Sequence, residues 1–313
     1  MPNQKPKTPT LIKGVYVALT TPRQADSVEA DASCLLDYID TIVGTGIDGL
    51  VLFGSTGEFV HFDIAERIRV LSLAIKRSRV PLVVNISHSS FAGAVDLAEN
   101  AIEANADGIL LMPPYFFRYS DDQLFAFYEE FVKAINSAVP TYLYNIPFFT
   151  NPMSASLIQR LLSTGAFAGI KDSSGEWPLF EAIQSVRDKV TIQNIVGSDG
   201  MYARARPAGA DAIVSGVAAA VPELIVALQS ALVSGNPSDV QKFDNYLHEF
   251  LTRLNQFPAT IAIKQAAVVR GWKQDNAAIP FDSATHSALA EYRNWFEQWL
   301  PAVLTDCSPE SVH

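Results

Sequence analysis

The residue with the clearest chemical potential is Lys171, which ends a short apolar run. The run 167–170 has the composition of a buried strand, and the polar loop 172–176 follows the lysine. Burial at a strand end favours a neutral amine over an ammonium, and a neutral amine can attack a ketone to form a Schiff base. Most lysines are exposed, so for Lys171 taken alone a solvated strand end is the better interpretation. The hypothesis therefore needs support from other residues.

Tyr144 offers that support from the preceding strand. It lies in the run Thr141 to Asn145, whose end would aim a phenol at the same site. A phenol there could pass a proton to or from a substrate oxygen, whereas a buried tyrosine is otherwise a packed ring with a satisfied hydroxyl. One strand apart, Lys171 and Tyr144 make a nucleophile with an acid–base partner.

The run GSTGE, residues 54–58, supplies a third candidate feature. Following the apolar strand 49–53, it offers backbone N–H groups and the hydroxyls of Ser55 and Thr56 in one turn. Such a turn suits a small carboxylate. A plain glycine turn is an equally good interpretation of this run on its own.

A repeated strand–helix pattern must position these residues. About eight units occur between residues 11 and 235, as a (β/α)8 TIM barrel requires. Runs such as LVLF and GILLM are continuously apolar, which indicates parallel strands buried on both faces. A doubly wound sheet is the rival fold, but no GxGxxG follows the first strand. In a barrel the active site forms at the carboxyl ends of the strands.

The chain divides into three predicted segments. Residues 1–10 form a polar tail, 11–235 the barrel, and 236–313 a C-terminal helical region. The helical region should pack on the barrel helices or on a partner subunit. Lys264 within it is expected to be structural or near an interface.

Composition excludes several classes of function. The net charge of −10 disfavours a nucleic-acid or anionic-membrane partner. Cys34 and Cys307 are far apart, so neither a disulfide framework nor a metal site is indicated. No apolar leader or membrane span is apparent, and a cytoplasmic location is expected.

The runs GSTGE, YNIP and GIKDSSG, in this order, resemble the Schiff-base aldolase and lyase family that contains dihydrodipicolinate synthase and N-acetylneuraminate lyase. The resemblance begins near residue 11 and includes AIKQAAVVRG around Lys264. It implies a TIM barrel that needs no metal or organic cofactor, because the lysine supplies the electron sink. It also implies a homo-oligomer, dimer or tetramer.

The resemblance assigns roles to individual residues. Lys171 would form the imine with pyruvate or another 2-keto acid, Tyr144 would shuttle protons, and Ser55 would assist it. Thr56 would hold the keto acid carboxylate together with backbone amides of the turn. Further candidate substrate-binding residues are Gly54, Tyr115, Phe149, Ser173, Asp199, Val214 and Ser215.

Departures from the family pattern concern the second substrate. Phe149 stands where dihydrodipicolinate synthases place an arginine for their aldehyde's carboxylate, and Phe116 stands where they borrow a tyrosine from a neighbouring subunit. Asp199 and Ser173 match residues that hold sugar hydroxyls in N-acetylneuraminate lyase, although Gly200 replaces an adjacent glutamate. Phe148 and Phe149 would also leave room for an apolar or aromatic aldehyde.

The expected function is therefore reversible cleavage of a 2-keto-3-deoxy (sugar) acid to pyruvate and an aldehyde. Two alternatives keep the imine: a dihydrodipicolinate synthase (4-hydroxy-tetrahydrodipicolinate synthase) and a keto-deoxy acid dehydratase. A third alternative is a barrel that binds a keto acid without turnover.

Overall fold

The computed structural model describes residues 11–25, 27–136, 139–258, 260–272 and 276–308. The predicted tail, residues 1–10, lies outside the described residues. The predicted division at residues 235 and 236 stays a prediction.

Within these ranges, eight parallel strands close into a barrel in chain order, and the last strand pairs with the first. Every strand position except Gly14 is buried, as expected for strands covered by helices. The strands are β1 (Gly14–Ala18), β2 (Gly49–Leu52), β3 (Leu82–Asn85), β4 (Gly108–Leu111), β5 (Thr141–Asn145), β6 (Gly169–Asp172), β7 (Gln193–Val196) and β8 (Ala212–Ser215). The predicted TIM barrel is confirmed.

The barrel helices follow the strands and present apolar faces to them. They are α1 (Ala32–Val43), α2 (Ile64–Arg77), α3 (Phe91–Glu103), α4 (Asp121–Ile135), α5 (Ala155–Ser163), α6 (Trp177–Gln184), α7 (Tyr202–Ala205) and α8 (Pro222–Ser234). Local signals set several ends: Ser120 and Gln123 form a capping box at α4, and Gly235 ends α8 with φ 70°. Helix α7 is short because Pro207 cannot continue it.

Three further helices follow the barrel: α9 (Pro237–Leu254), α10 (Ile261–Val269) and α11 (Ser283–Asp306). Helix α9 packs on α8, and Phe250 of α9 contacts Phe296 and Trp299 of α11. Helix α10 is mostly buried and packs between α11 and the barrel. None of the helices in the described ranges has both the length and the apolar character needed to cross a bilayer.

Candidate active site

A cavity of about 310 Å³ opens at the carboxyl ends of the strands. Its walls come from the loops after β2, β5, β6, β7 and β8, and from the segment between α9 and α10. The barrel thus places the candidate residues where this fold assembles active sites.

Lys171, on β6, lines this cavity. It is only 4% exposed, and its Nζ donates a hydrogen bond of 3.0 Å to Ser173 Oγ. The Nζ also lies 3.7 Å from the centroid of the Tyr144 ring. Gly197 makes room for the amine, since a Cβ there would lie 2.9 Å from Nζ and 2.1 Å from Ser173 Oγ. The amine is therefore largely buried, oriented by Ser173 and next to a phenol.

Tyr144 lies on β5 and is buried. Its hydroxyl is 3.2 Å from Ser55 Oγ. Burial by itself raises the pKa of Tyr144, but the Lys171 charge and hydrogen bonds with Lys171, Ser55 and Ser173 outweigh it. The net result is a pKa below the ordinary value of 10.0. The phenol therefore gives up its proton more readily than a free tyrosine does, as a proton relay requires.

Two residues in the left-handed region stand at the GSTGE turn, one just before it and one at its end. Phe53 and Glu58 have φ of 58° and 52°, and both are non-glycine. Such conformations persist only where the surrounding structure holds them, and they are frequent at functional sites. Between them Gly54, Ser55 and Thr56 face the cavity.

Glu58 of this turn forms an ion pair with Lys264 of α10. The two side chains are only 12% and 5% exposed, so the pair is largely shielded from water. Burial lowers the pKa of Lys264, and Glu58 opposes that change. The pair joins the turn after β2 to the helical region, a link that the sequence pattern did not indicate.

Asp199 connects the loops after β7 and β8. Its carboxylate accepts hydrogen bonds from the Ser215 hydroxyl and, at 3.2 Å, from the Gly216 N–H. Burial raises the pKa of Asp199, and these hydrogen bonds oppose the rise. Gly216 in turn lies against Thr56, whose Oγ1 would be 3.3 Å from a Cβ at that position. Asp199 therefore fixes one wall of the cavity as well as lining it.

Asp172 fixes the loop that carries Ser173. Its carboxylate accepts hydrogen bonds from Asn145 Nδ2 at 2.7 Å and from Ser174 Oγ at 2.7 Å. The Ser173 N–H donates to the Asn145 carbonyl at 2.8 Å. Burial raises the pKa of Asp172, and its hydrogen bonds oppose the rise.

Nine of the predicted site residues line this one cavity. Those on β2, β5 and their loops are Gly54, Ser55, Thr56, Tyr144 and Phe149. Those on β6, β7 and β8 and their loops are Lys171, Ser173, Asp199 and Val214.

Two predicted residues lie elsewhere. Tyr115 packs edge-on against Phe59 with ring centroids 5.8 Å apart, outside the cavity wall. Ser215 is fully buried and reaches the site only through its hydrogen bond to Asp199.

The cavity also contains residues that the strand-end pattern missed. Leu254, Asn255, Thr260 and Ile263 come from the ends of α9 and α10. Nothing in their local sequence indicates that they line the cavity, because their position depends on how the helical region packs. Gly197 could have been found, since it immediately follows β7.

The arrangement is suited to carbonyl chemistry at an amine. A buried lysine, a phenol with lowered pKa and several hydroxyls surround one small space. Across the described parts of the chain, no three His, Cys, Asp or Glu side chains converge in a way that could hold a metal ion.

Comparison with known proteins gives the same picture of the whole chain. Curated relatives include an uncharacterized DapA-like lyase of Halobacterium salinarum, 27% identical over 267 residues that cover 84% of this chain and 86% of the relative. A 4-hydroxy-tetrahydrodipicolinate synthase of Pelobacter propionicus is 27% identical over 274 residues, covering 86% and 92%.

Solved structures show the same fold. Dihydrodipicolinate synthase from Aquifex aeolicus superposes with a TM-score of 0.84 at 22% identity, over 92% of this chain and 98% of that one. YagE of Escherichia coli K12, solved in complex with pyruvate, superposes with a TM-score of 0.85 at 22% identity, over 93% and 99%.

The family model decides the membership. The model of the dihydrodipicolinate synthetase family matches residues 11–298, which include the barrel, α9, α10 and most of α11. The chain is therefore a lyase of the dihydrodipicolinate synthetase family.

Proposed function

We propose that the protein catalyses the reversible cleavage of a 2-keto-3-deoxy acid into pyruvate and an aldehyde, through an imine on Lys171. The observation that carries this proposal is the buried Lys171 amine, 3.7 Å from the centroid of the Tyr144 ring. A dry amine and an adjacent phenol are the two groups that imine chemistry requires.

The first step is condensation. The Lys171 Nζ attacks the C2 carbonyl with its lone pair, and the carbonyl oxygen leaves as water after proton transfers through Tyr144. The iminium then accepts the electron pair of the breaking C3–C4 bond while the C4 hydroxyl loses its proton to the Tyr144 relay. The aldehyde departs, C3 of the enamine takes up a proton, and water hydrolyses the imine to release pyruvate.

Thr56 and the turn amides are proposed to hold the carboxylate of the keto acid. Gly54, Ser55 and Thr56 line the cavity together, and the turn that presents them is held by the Glu58–Lys264 pair. A concave backbone turn with free donors suits a small anion.

A 4-hydroxy-tetrahydrodipicolinate synthase is the second candidate, favoured by the names of several curated relatives. The cavity wall bears Phe149 where that reaction would need a cation for its aldehyde's carboxylate. A dehydratase acting on the same imine, and a barrel that binds a keto acid without turnover, remain further alternatives. A panel of keto-deoxy sugar acids assayed for pyruvate release, beside condensation of pyruvate with aspartate semialdehyde, separates these functions.

Borohydride trapping tests the imine itself. Incubation with pyruvate and borohydride should add one reduced pyruvate to Lys171, located by peptide mass, and Lys171→Ala should abolish the adduct. Lys133→Ala, at a lysine 59% exposed, is the matched control. Absence of an adduct on Lys171 would overturn the proposal, and binding of pyruvate without turnover would support the non-catalytic alternative.

We also propose a homo-oligomer in the cytoplasm. Phe116 and Phe117 on the loop after β4 are 88% and 65% exposed, and Phe116 has φ 81°. Exposed neighbouring aromatic rings favour a protein contact. Sedimentation equilibrium should show a dimer or larger species that Phe116→Asp weakens.

A further inference from the structure

A second cleft lies between α10, α11 and the loop after β1. It has a volume of about 710 Å³ and shares no described lining residue with the cavity that holds Lys171. Among the described residues its wall carries three basic side chains, Arg23, His286 and Arg293, and no carboxylate. In a chain with a net charge of −10, such a wall is a local excess of positive charge that attracts anions.

Arg23 is the buried member of this basic group. It is only 7% exposed, and its Cζ lies 4.5 Å from the centroid of the Phe62 ring. Its Nη1 is enclosed without a hydrogen-bond partner, whereas its other two nitrogens are not enclosed in this way. Arg23 forms no ion pair with a carboxylate of the described residues. Buried charges are nearly always paired, so this guanidinium has the capacity to bind an anion from the cleft.

The neighbouring ion pair between Glu58 and Lys264 does not supply the missing negative charge. Burial lowers the pKa of Lys264, Glu58 opposes this change, and the charge of Arg23 lowers the pKa further. Arg23 and Lys264 are therefore close enough to repel each other, and both are largely buried. Two buried cations share one carboxylate here, so one positive charge is left uncompensated among the described residues.

Arg293 of α11 lines the same cleft from the other side chain layer. Its Nη1 donates a hydrogen bond of 2.6 Å to Oε1 of Gln265, a residue of α10 that is 5% exposed and also lines the cleft. This bond orients the guanidinium without neutralising it. A guanidinium can bind a carboxylate or phosphate group through two parallel hydrogen bonds, so arginines suit oxyanions in particular.

Much of the remaining wall is apolar. Val28, Ile279, Pro280, Phe281 and Leu289 line the cleft, and a smaller cavity of about 120 Å³ adjoins it at Ile279 and Phe281. An apolar group buried against such a wall is stabilised by the hydrophobic effect. The wall therefore combines positive charge with space for a small apolar body.

We propose that this cleft binds a small molecule with a carboxylate or phosphate group on an apolar body, and that Arg23 and Arg293 supply the positive charge. The site is separate from the cavity of Lys171, so binding there does not depend on the proposed reaction.

The test compares ligands that differ in charge. Benzoate, phenyl phosphate and benzyl alcohol are titrated against the full chain, and Kd is measured by ligand-detected NMR. Benzoate or phenyl phosphate should bind at least about tenfold more tightly than benzyl alcohol, which has the ring but no charge, because hydrogen bonds between charged groups are the stronger ones. The tighter of the two anions identifies the preferred anionic group.

Two variants remove the charge of the cleft. Arg23→Met and Arg293→Met each keep a long side chain, and each should raise the Kd of the preferred anion at least about tenfold. Arg253→Met is the matched control, because the Arg253 Cζ also lies over an aromatic ring, 5.3 Å from the Trp295 centroid, but outside the cleft. The control variant should bind the anion as wild type does.

Arg293 is partly exposed, so Arg293→Met should fold even if replacement of the buried Arg23 does not, and thermal unfolding checks both variants. Lys171→Ala should bind the anion as wild type does. Equally tight binding of benzyl alcohol, an unchanged Kd in folded Arg293→Met, or loss of binding in Lys171→Ala would each overturn the inference. None of these results bears on the imine, which borohydride trapping tests separately.

Discussion

Tyr144 of β5 and Lys171 of β6 are direct register partners in the barrel, and the Lys171 Nζ lies 3.7 Å from the centroid of the Tyr144 ring. Paired residues on neighbouring parallel strands point to the same side of a sheet. The strand register alone therefore places the Lys171 amine next to the Tyr144 phenol, without help from a loop or a ligand. Catalytic groups on strands are held more firmly than groups on loops.

Loss of the Tyr144 hydroxyl should slow the reaction. Tyr144→Phe should lower kcat by about 10²-fold or more, since proton transfer by a positioned side chain contributes about 10²–10⁴-fold. The fold of the Tyr144→Phe variant should be unaffected, because the aromatic ring remains. Steady-state rates and thermal unfolding measure both effects.

Tyr142→Phe is the matched control for this prediction. Tyr142 is buried on the same strand, but its hydroxyl donates to Gln193 Oε1 at 2.7 Å, away from the cavity. The Tyr142→Phe variant should have a free energy of unfolding lower by about 1 kcal/mol. Its kcat should be unchanged. Equal kcat losses in the two variants would contradict the role of Tyr144.

The second prediction concerns pH. The protonated Tyr144 phenol serves as the acid, and its pKa lies below 10.0, so the rate should fall on the alkaline side below that pH. Ser55 lowers this pKa through its hydrogen bond. Ser55→Ala should therefore raise the pKa and move the alkaline limb of kcat to higher pH. An alkaline limb of kcat that stays in place or moves to lower pH in Ser55→Ala would argue against an effect of Ser55 on the pKa of Tyr144.

The barrel and its central pair were predictable from local sequence. The apolar runs before Lys171 and around Tyr144 specify buried parallel strands, and a closed barrel brings their carboxyl ends together. The positions of Ser55 and Thr56 follow from the same rule, because the GSTGE turn comes directly after β2.

The remaining part of the site depends on contacts between distant segments. Thr260 and Asn255 enter the cavity because α9 and α10 fold back over the barrel, and no periodicity in the sequence encodes that return. Tyr115 has the right residue type at a predicted strand end, yet it packs against Phe59 instead. Strand-end position therefore identifies candidates, and only tertiary packing decides which of them share the cavity.

Filling the space that Gly197 leaves beside the Lys171 amine should slow imine formation. In Gly197→Ala the new methyl would lie 2.1 Å from Ser173 Oγ and 2.9 Å from Lys171 Nζ, so both groups must move. The rate of imine trapping should fall at least about tenfold, since displacement of a nucleophile by about 1 Å is costly. Overpacking should also lower the free energy of unfolding by about 1–3 kcal/mol.

Gly200→Ala controls for the loss of a glycine in the same loop. Its nearest contact would be Leu251 Cδ1 at 3.4 Å, an ordinary packing distance. This variant should trap pyruvate at the wild-type rate. Normal trapping in Gly197→Ala would show that the amine does not depend on this space.

The Glu58–Lys264 pair can be tested by removing one of its two charges at a time. Lys264→Met leaves the Glu58 carboxylate without its partner, and Glu58→Gln leaves the Lys264 amine in the same position. Each single change should lower the free energy of unfolding by about 3–5 kcal/mol, because it leaves one buried charge uncompensated. Denaturant unfolding measures the loss.

The double variant Glu58→Gln with Lys264→Met distinguishes an ion pair from two independent packing residues. It removes both charges, so its loss should be smaller than the sum of the single losses by about 0.5–3 kcal/mol. Strictly additive losses would mean that the charges do not interact. Because Glu58 follows Thr56 by two residues, we expect the single variants also to raise KM for pyruvate, since a turn released from α10 can no longer hold Thr56 in place.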